Sequence, residues 1–190
     1  MAEVDFGPSV SSLVYKLEEM YQDWGGVKQL KGTPGRLLKM YGDMLWSPGR
    51  IRDELAKQFK VFENDYNEML VEGPIEVWTL CPHHLLPCCF TVTIGYIPNG
   101  SVLGLSKFTR IAVILGKRPI LQEEYTTELV DELDKGLKPL GVAAFVVGKH
   151  GCMLARGVKQ PVDVTTSVLK GVFLTNPDTK AEFLALARGR

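Results

Sequence analysis

The chain has 190 residues, 22 Lys and Arg against 22 Asp and Glu, and is 45% apolar and 23% charged. That composition is average for a globular protein and excludes disordered, collagenous and coiled-coil classes. One domain is expected, long enough to bury about 70% of the surface its unfolded form exposes. Zero formal net charge excludes a broad basic surface for nucleic acid or anionic lipid, though not a local cluster of one sign.

The opening residues, MAEVDFGPSV, carry two acids and no apolar run of the signal-peptide kind, and no uncharged stretch is long enough to span a bilayer. The expectation is a cytoplasmic, reducing location, in which Cys81, Cys88, Cys89 and Cys152 are thiols or metal ligands rather than disulfides.

Residues 1–70 read as mainly helical, and 71–190 as the core of the same domain. Thr33-Pro34 and Ser47-Pro48 each place an N-cap residue before a proline at the first helical position, and Asn176-Pro177 repeats the device. Leu37, Met40, Tyr41 and Met44 then fall at helical spacing. From Ile75 the pattern turns to strand: Ile75–Val77, then Phe90, Val92, Ile94 and Tyr96 in alternation, closed by the turn Pro98-Asn99-Gly100.

Two helices follow, Ser106 to about Gly116 and Gln122 to about Lys138, the second with Tyr125, Leu129, Leu133 and Leu137 as an apolar stripe. Val142–Val147 reads as a buried strand, Met153–Ala155 as another, and Val162–Val168 as extended chain before a closing helix through Phe183, Leu184 and Ala187. Blocks of this kind, without regular βαβ alternation, predict an α+β fold whose antiparallel sheet has helices packed on one side.

Cys81-Pro82-His83-His84 follows a predicted strand, and His150-Gly151-Cys152 follows another. Ligands at i and i+3 can grip one ion from a single turn, and a third from a distant strand end completes a face of a tetrahedron. Three protein ligands leave a fourth position for water, the arrangement of catalytic zinc. The same residues also read as buried thiols and hydrogen-bonded histidines. Cys88 and Cys89, adjacent on a strand, point to opposite faces and read as packing residues.

Gly104-Leu105-Ser106-Lys107 leads into a helix. With Ser106 as its cap, the free N–H groups and the positive end of the dipole would join Lys107 and Arg110 in a phosphate site. The alternative is an amphipathic helix packed through Phe108, Ile111 and Leu115, with a solvated basic face. Arg156, Arg36 and Lys39 either add charge or are ordinary surface. Glu123, opening a helix after Gln122, could accept parallel hydrogen bonds from a guanine-like edge, or simply be the acid a helix N-terminus favours.

Taken together, Thr33–Tyr41, Cys81–His84, Ile94–Pro98, Gly104–Lys107, Arg118-Pro119 with Gln122-Glu123, His150–Cys152 and Ala155–Val158 resemble the GTP cyclohydrolase I family, in order and spacing, from about Lys28 to Arg188. The resemblance implies a tunnelling fold assembled as a homodecamer, with active sites between subunits. It implies conversion of GTP and water to 7,8-dihydroneopterin triphosphate and formate. Cys81, His84 and Cys152 match the family's zinc ligands, and His83 and His150 its active-site histidines. Gln122 and Glu123 match its guanine-binding pair. Ser106, Lys107, Arg110 and Arg156 match triphosphate contacts, with Arg36 and Lys39 supplied by an adjacent subunit.

The chemistry expected on this resemblance is attack of zinc hydroxide on guanine C8 while His150 protonates N7, followed by ring opening and a second hydrolysis that releases formate. His83 is a proton shuttle for later steps, and Ser106 lies near the ribose as it rearranges and recloses. The sequence departs from the family in two places: Pro82 stands where a glutamate is usual, and Glu124 where an arginine is frequent. The alternatives are a non-catalytic GTP- or pterin-binding homologue and another tunnelling-fold enzyme of 7-deazaguanine metabolism, such as a nitrile reductase.

Overall fold

A computed structural model describes residues 7–21 and 28–189; the reading of the first six residues lies outside them. The chain forms two compact units that divide between Leu45 and Trp46. In the N-terminal unit, α1 (Gly7–Met20) packs against α2 (Thr33–Met44), which follows a 3-10 turn at Lys28–Gly32. The N-cap of α2 is Gly32 rather than Thr33. Thr33 is already helical, and its hydroxyl accepts from Arg36 Nη2 at 3.3 Å.

The second unit opens with α3 (Pro48–Ala56), whose cap Ser47 accepts from the Arg50 amide as expected. Then come β1 (Val61–Glu63), β2 (Leu70–Leu80), β3 (Pro87–Ile97), β4 (Ser101–Leu103), α4 (Leu105–Leu115) and α5 (Gln122–Leu137). They are followed by β5 (Gly141–His150), α6 (Gly151–Leu154), β6 (Val164–Gly171), α7 (Val172–Thr175) and α8 (Pro177–Arg188). The fold is α+β: four strands pair antiparallel in the order β2-β3-β5-β6, while β1 and β4 form a separate ribbon. Strand β1 has no sequence signal because all its residues are exposed. Among the described residues no helix is long and apolar enough to cross a membrane.

The strand expected at Met153–Ala155 is instead helix, α6. Gly151 lies so close to the end of β3 that a Cβ on it would stand 2.5 Å from Pro87 O. The chain therefore turns tightly off β5 and closes one helical turn, with the Ala155 amide donating to Gly151 O at 2.9 Å. Three apolar residues are too few for periodicity to separate strand from helix.

Alternation along the strands builds two apolar layers. Val92 and Ile94 of β3 and Val142, Ala144 and Val146 of β5 meet Phe108, Ile111, Tyr125, Leu129 and Leu133 from the two long helices on one face. On the other face α7 and α8 close one end, where Phe173, Phe183 and Ala187 pack on Ala143 and Phe145. Gly95 lies opposite Ala143 in the register. A Cβ on Gly95 would approach Phe183 Cδ2 to 2.6 Å, so the missing side chain seats that ring on the sheet. Asn176 starts α8 by accepting from the Asp178 and Thr179 amides, which satisfies donors a helix start leaves open.

Candidate active site

Strand β2 ends at Leu80, and the chain reverses into β3 through a turn closed by two backbone bonds, Leu85 N to Cys81 O at 2.8 Å and Cys81 N to Leu86 O at 2.9 Å. Leu85 takes a left-handed conformation, φ 51°. Neither bond uses the amide that Pro82 lacks, so the proline departure leaves this scaffold intact. The turn sets Cys81 Sγ 3.5 Å from His84 Nδ1. Antiparallel pairing places His150 directly opposite Cys88, and the single turn of α6 brings in Cys152.

The ligand atoms of Cys81, His84 and Cys152 all lie within 4.8 Å of one another. Zinc bonds of about 2.0–2.3 Å in a tetrahedron need ligand atoms about 3.3–3.8 Å apart, so a small contraction suffices. Two thiols and an imidazole are a donor set that suits zinc. Cys81 is buried, Cys152 half-buried and His84 exposed. Burial pushes the Cys152 thiol up, helped by its hydrogen bond to Cys81 and the charge there, and opposed by Arg156; a cation bound to these sulfurs reverses that logic. His83 is exposed, its Nδ1 3.9 Å from Cys81 Sγ.

His150 is gripped at both ring nitrogens. Nδ1 lies 3.5 Å from Cys88 Sγ and Nε2 2.8 Å from Gln122 Oε1, with the ring 5.8 Å from that of Phe90. Burial lowers its pKa, and the nearby Glu123 carboxylate opposes the shift. Burial first, then Cys81 and Cys152, push the Cys88 thiol up to about 11. Cys88 does pack in the core, as expected, but its contact with His150 is additional. It rests on strand pairing across sixty-two residues, which no local pattern reveals.

Of the expected guanine pair, Glu123 is exposed in the first turn of α5, whereas Gln122 is fully buried. The two hydrogens of the Gln122 amide are already shared among Val146 O, Val164 O and Thr166 Oγ1.

The expected phosphate residues gather elsewhere. The cap of α4 is Gly104, not Ser106, which is an exposed residue inside the helix. Lys107 Nζ lies 3.4 Å from Gln58 Oε1. Its pKa is lowered by desolvation first, and then by Arg110 and Lys60, so Lys60, which carried no motif, joins the cluster. This end of α4 stands over Leu70, Ile94 and Tyr96, beside a groove of about 290 Å³ that Leu105 and Phe108 also line. Glu72 lines the groove too. Its Oε1 accepts from Thr109 at 2.7 Å, while its Oε2 is buried without a hydrogen-bond partner.

Cys88 marks the metal-ligand end of β3 and Tyr96 the groove end, eight residues or about 27 Å along the strand. One chain therefore does not bring Ser106 and Lys107 to the Cys81–His84–Cys152 cluster. Arg156, exposed just beyond α6, is on the cluster's side, and Arg36 and Lys39 are exposed on α2.

A family model described as GTP cyclohydrolase I matches residues 11–188. The GTP cyclohydrolase 1 of Pelotomaculum thermopropionicum is 38% identical over 163 residues, 85% of this chain and 86% of the relative. That of Aquifex aeolicus is 42% identical over 161 residues, covering 84% and 85%. A solved structure of an archaeosine synthase QueF-like protein in the apo form covers 57% of this chain and 97% of its own, with TM-score 0.45 and 22% identity.

Proposed function

Because the chain belongs to the GTP cyclohydrolase I family, we propose that it converts GTP and water to 7,8-dihydroneopterin triphosphate and formate at a zinc centre held by Cys81, His84 and Cys152. The observation that carries this reading is the convergence of those three ligand atoms within 4.8 Å, next to a histidine held at both nitrogens. Bound there, zinc supplies a Lewis acid that lowers the pKa of a water toward neutrality.

The remaining roles belong to side chains. His150 is the acid toward guanine N7: burial lowers its pKa, so its protonated ring releases a proton readily near neutral pH. His83, exposed at the rim of the cluster, shuttles protons in the later hydrolysis. Glu123, exposed in the first turn of α5 beside His150, accepts from guanine N1 and the 2-amino group. Arg156 on the same side meets the phosphates.

Ser106, Lys107 and Arg110, with Lys60, form the main triphosphate cluster. Their distance along β3 from the metal ligands supports a site completed by a second copy of the chain, in the homodecamer expected for a tunnelling fold. Arg36 and Lys39 come from a neighbouring copy on the same reading. A neutral protein that gathers its cations in this way binds GTP less tightly as salt rises.

The test is elemental analysis together with GTP turnover on one purified sample. About one zinc per chain, formate release and the fluorescence of oxidised neopterin are expected. GTP binding with no turnover in the presence of zinc would support the non-catalytic homologue instead.

A further inference from the structure

We propose that Gln122 is a positioning residue that fixes the orientation and proton placement of His150, rather than a group that reads guanine. The inference rests on the GTP cyclohydrolase reading above and follows from a proton count. The Thr126 hydroxyl donates to Gln122 O at 2.7 Å, which uses its only hydrogen. At the 2.6 Å contact between Thr126 and Thr166, the hydrogen must therefore come from Thr166. Thr166 Oγ1 is then able to accept from Gln122 Nε2, whose two hydrogens are shared among that oxygen, Val146 O and Val164 O.

Three acceptors around one amide nitrogen settle which way the amide faces. Oε1 is the atom turned to His150, and an oxygen there can only accept, so His150 carries its hydrogen on Nε2. Nδ1 is the unprotonated nitrogen of the neutral ring, facing Cys88, so the proton that His150 gives to guanine N7 is the one taken up at Nδ1 when the ring is protonated. No N–H of Gln122 remains to meet the O6 of a guanine.

The backbone is shaped to allow this contact. A Cβ on Gly148 would run into Gln122 Oε1 and stand 3.0 Å from His150 Nε2, so the glycine leaves the space in which the bond forms. Gln122 is also almost completely buried, as a residue acting through a neighbour can be and a residue reading a ligand edge cannot.

The experiment is a double-mutant cycle in steady-state kinetics on the zinc-loaded protein, with wild-type formate release measured first. Gln122→Met keeps the side-chain volume and removes the whole hydrogen-bond set. It is expected to lower kcat about 100-fold, within the range a positioned acid contributes, with KM for GTP changed less than about twofold. In a His150→Ala background it should change kcat by less than about twofold, because its effect passes through the missing ring.

Thr166→Val provides the second variant. It removes one acceptor and keeps the two carbonyls, and should give a smaller loss in kcat, again without a change in KM and again only when His150 is present. If Gln122→Met fails to fold, Thr166→Val carries the same cycle. A rise in KM with kcat retained, or equal losses in both backgrounds, would overturn the inference while leaving the GTP reading in place. A wild-type protein that releases no formate would overturn both.

Discussion

The two ends of the four-stranded sheet are built on opposite principles. At the Cys88 end the buried Gln122 and Thr126 are joined to the half-buried His150 and Thr166 by hydrogen bonds within one chain, although Arg118 Nε, beside the end of β2, is buried without a hydrogen-bond partner. At the Tyr96 end the chain leaves Leu105 and Phe62 more than half exposed and a carboxylate oxygen of Glu72 buried and unpaired, while Lys60, Lys107 and Arg110 crowd one another near the start of α4. The closed end holds its geometry within one chain. The open end presents apolar and charged surface that a ligand or another copy can complete, which is why the proposed site draws on both ends from different copies.

Breaking the closed end should have the largest effect. Cys152→Ala removes one of three donors, and zinc content and formate release should both fall, the latter by about 10³-fold or more; retention of both would remove the metal assignment. Next in size is Phe183→Ala, which empties a fully buried position on the far face of the sheet. It should cost about 3–5 kcal/mol, seen as a fall of about 10 °C in Tm, with zinc content unchanged.

At the open end Lys107→Ala should raise KM for GTP about tenfold, the size of a lost charge-assisted contact, and flatten the dependence of KM on salt. Co-expressing Lys107→Glu with Cys152→Ala sharpens the comparison. If the site spans copies, mixed assemblies recover formate release that neither variant has alone; no recovery would place the whole site in one chain.

The smallest effect is at Glu72. Burial raises its pKa above the ordinary carboxylate value, against the Thr109 hydrogen bond. Folding therefore favours the neutral acid, a contribution fully present below the unfolded-state pKa and lost as pH rises through the folded one. Glu72→Gln should raise Tm by about 2 °C at neutral pH, and that gain should shrink as pH falls toward the carboxylate range. A gain that grows on acidification would contradict the assignment.

What could be read from local pattern was what local physics controls. Period-two alternation located β3, a continuous apolar run located β5, the caps Ser47 and Asn176 marked their helices, and cysteine and histidine spacing left a metal site open that the family resemblance assigned to Cys81, His84 and Cys152. Failures came where a neighbour distant in sequence decides. Exposed β1 carries no alternation, and α6 is helical because Gly151 abuts Pro87. Gly104 and Gly32 took the cap positions from Ser106 and Thr33.

The sequence by itself determined the residue types, and with them the chemistry available: a soft donor trio, two histidines and a set of cations within a neutral total. Only the tertiary structure decided which of these meet. Strand register set Cys88 against His150, the start of α5 buried Gln122 beneath it, and the length of β3 parted Lys107 and Arg110 from the donors. Spacing along a chain constrains only near neighbours, whereas hydrogen-bond satisfaction in a buried layer is settled once the strands are paired.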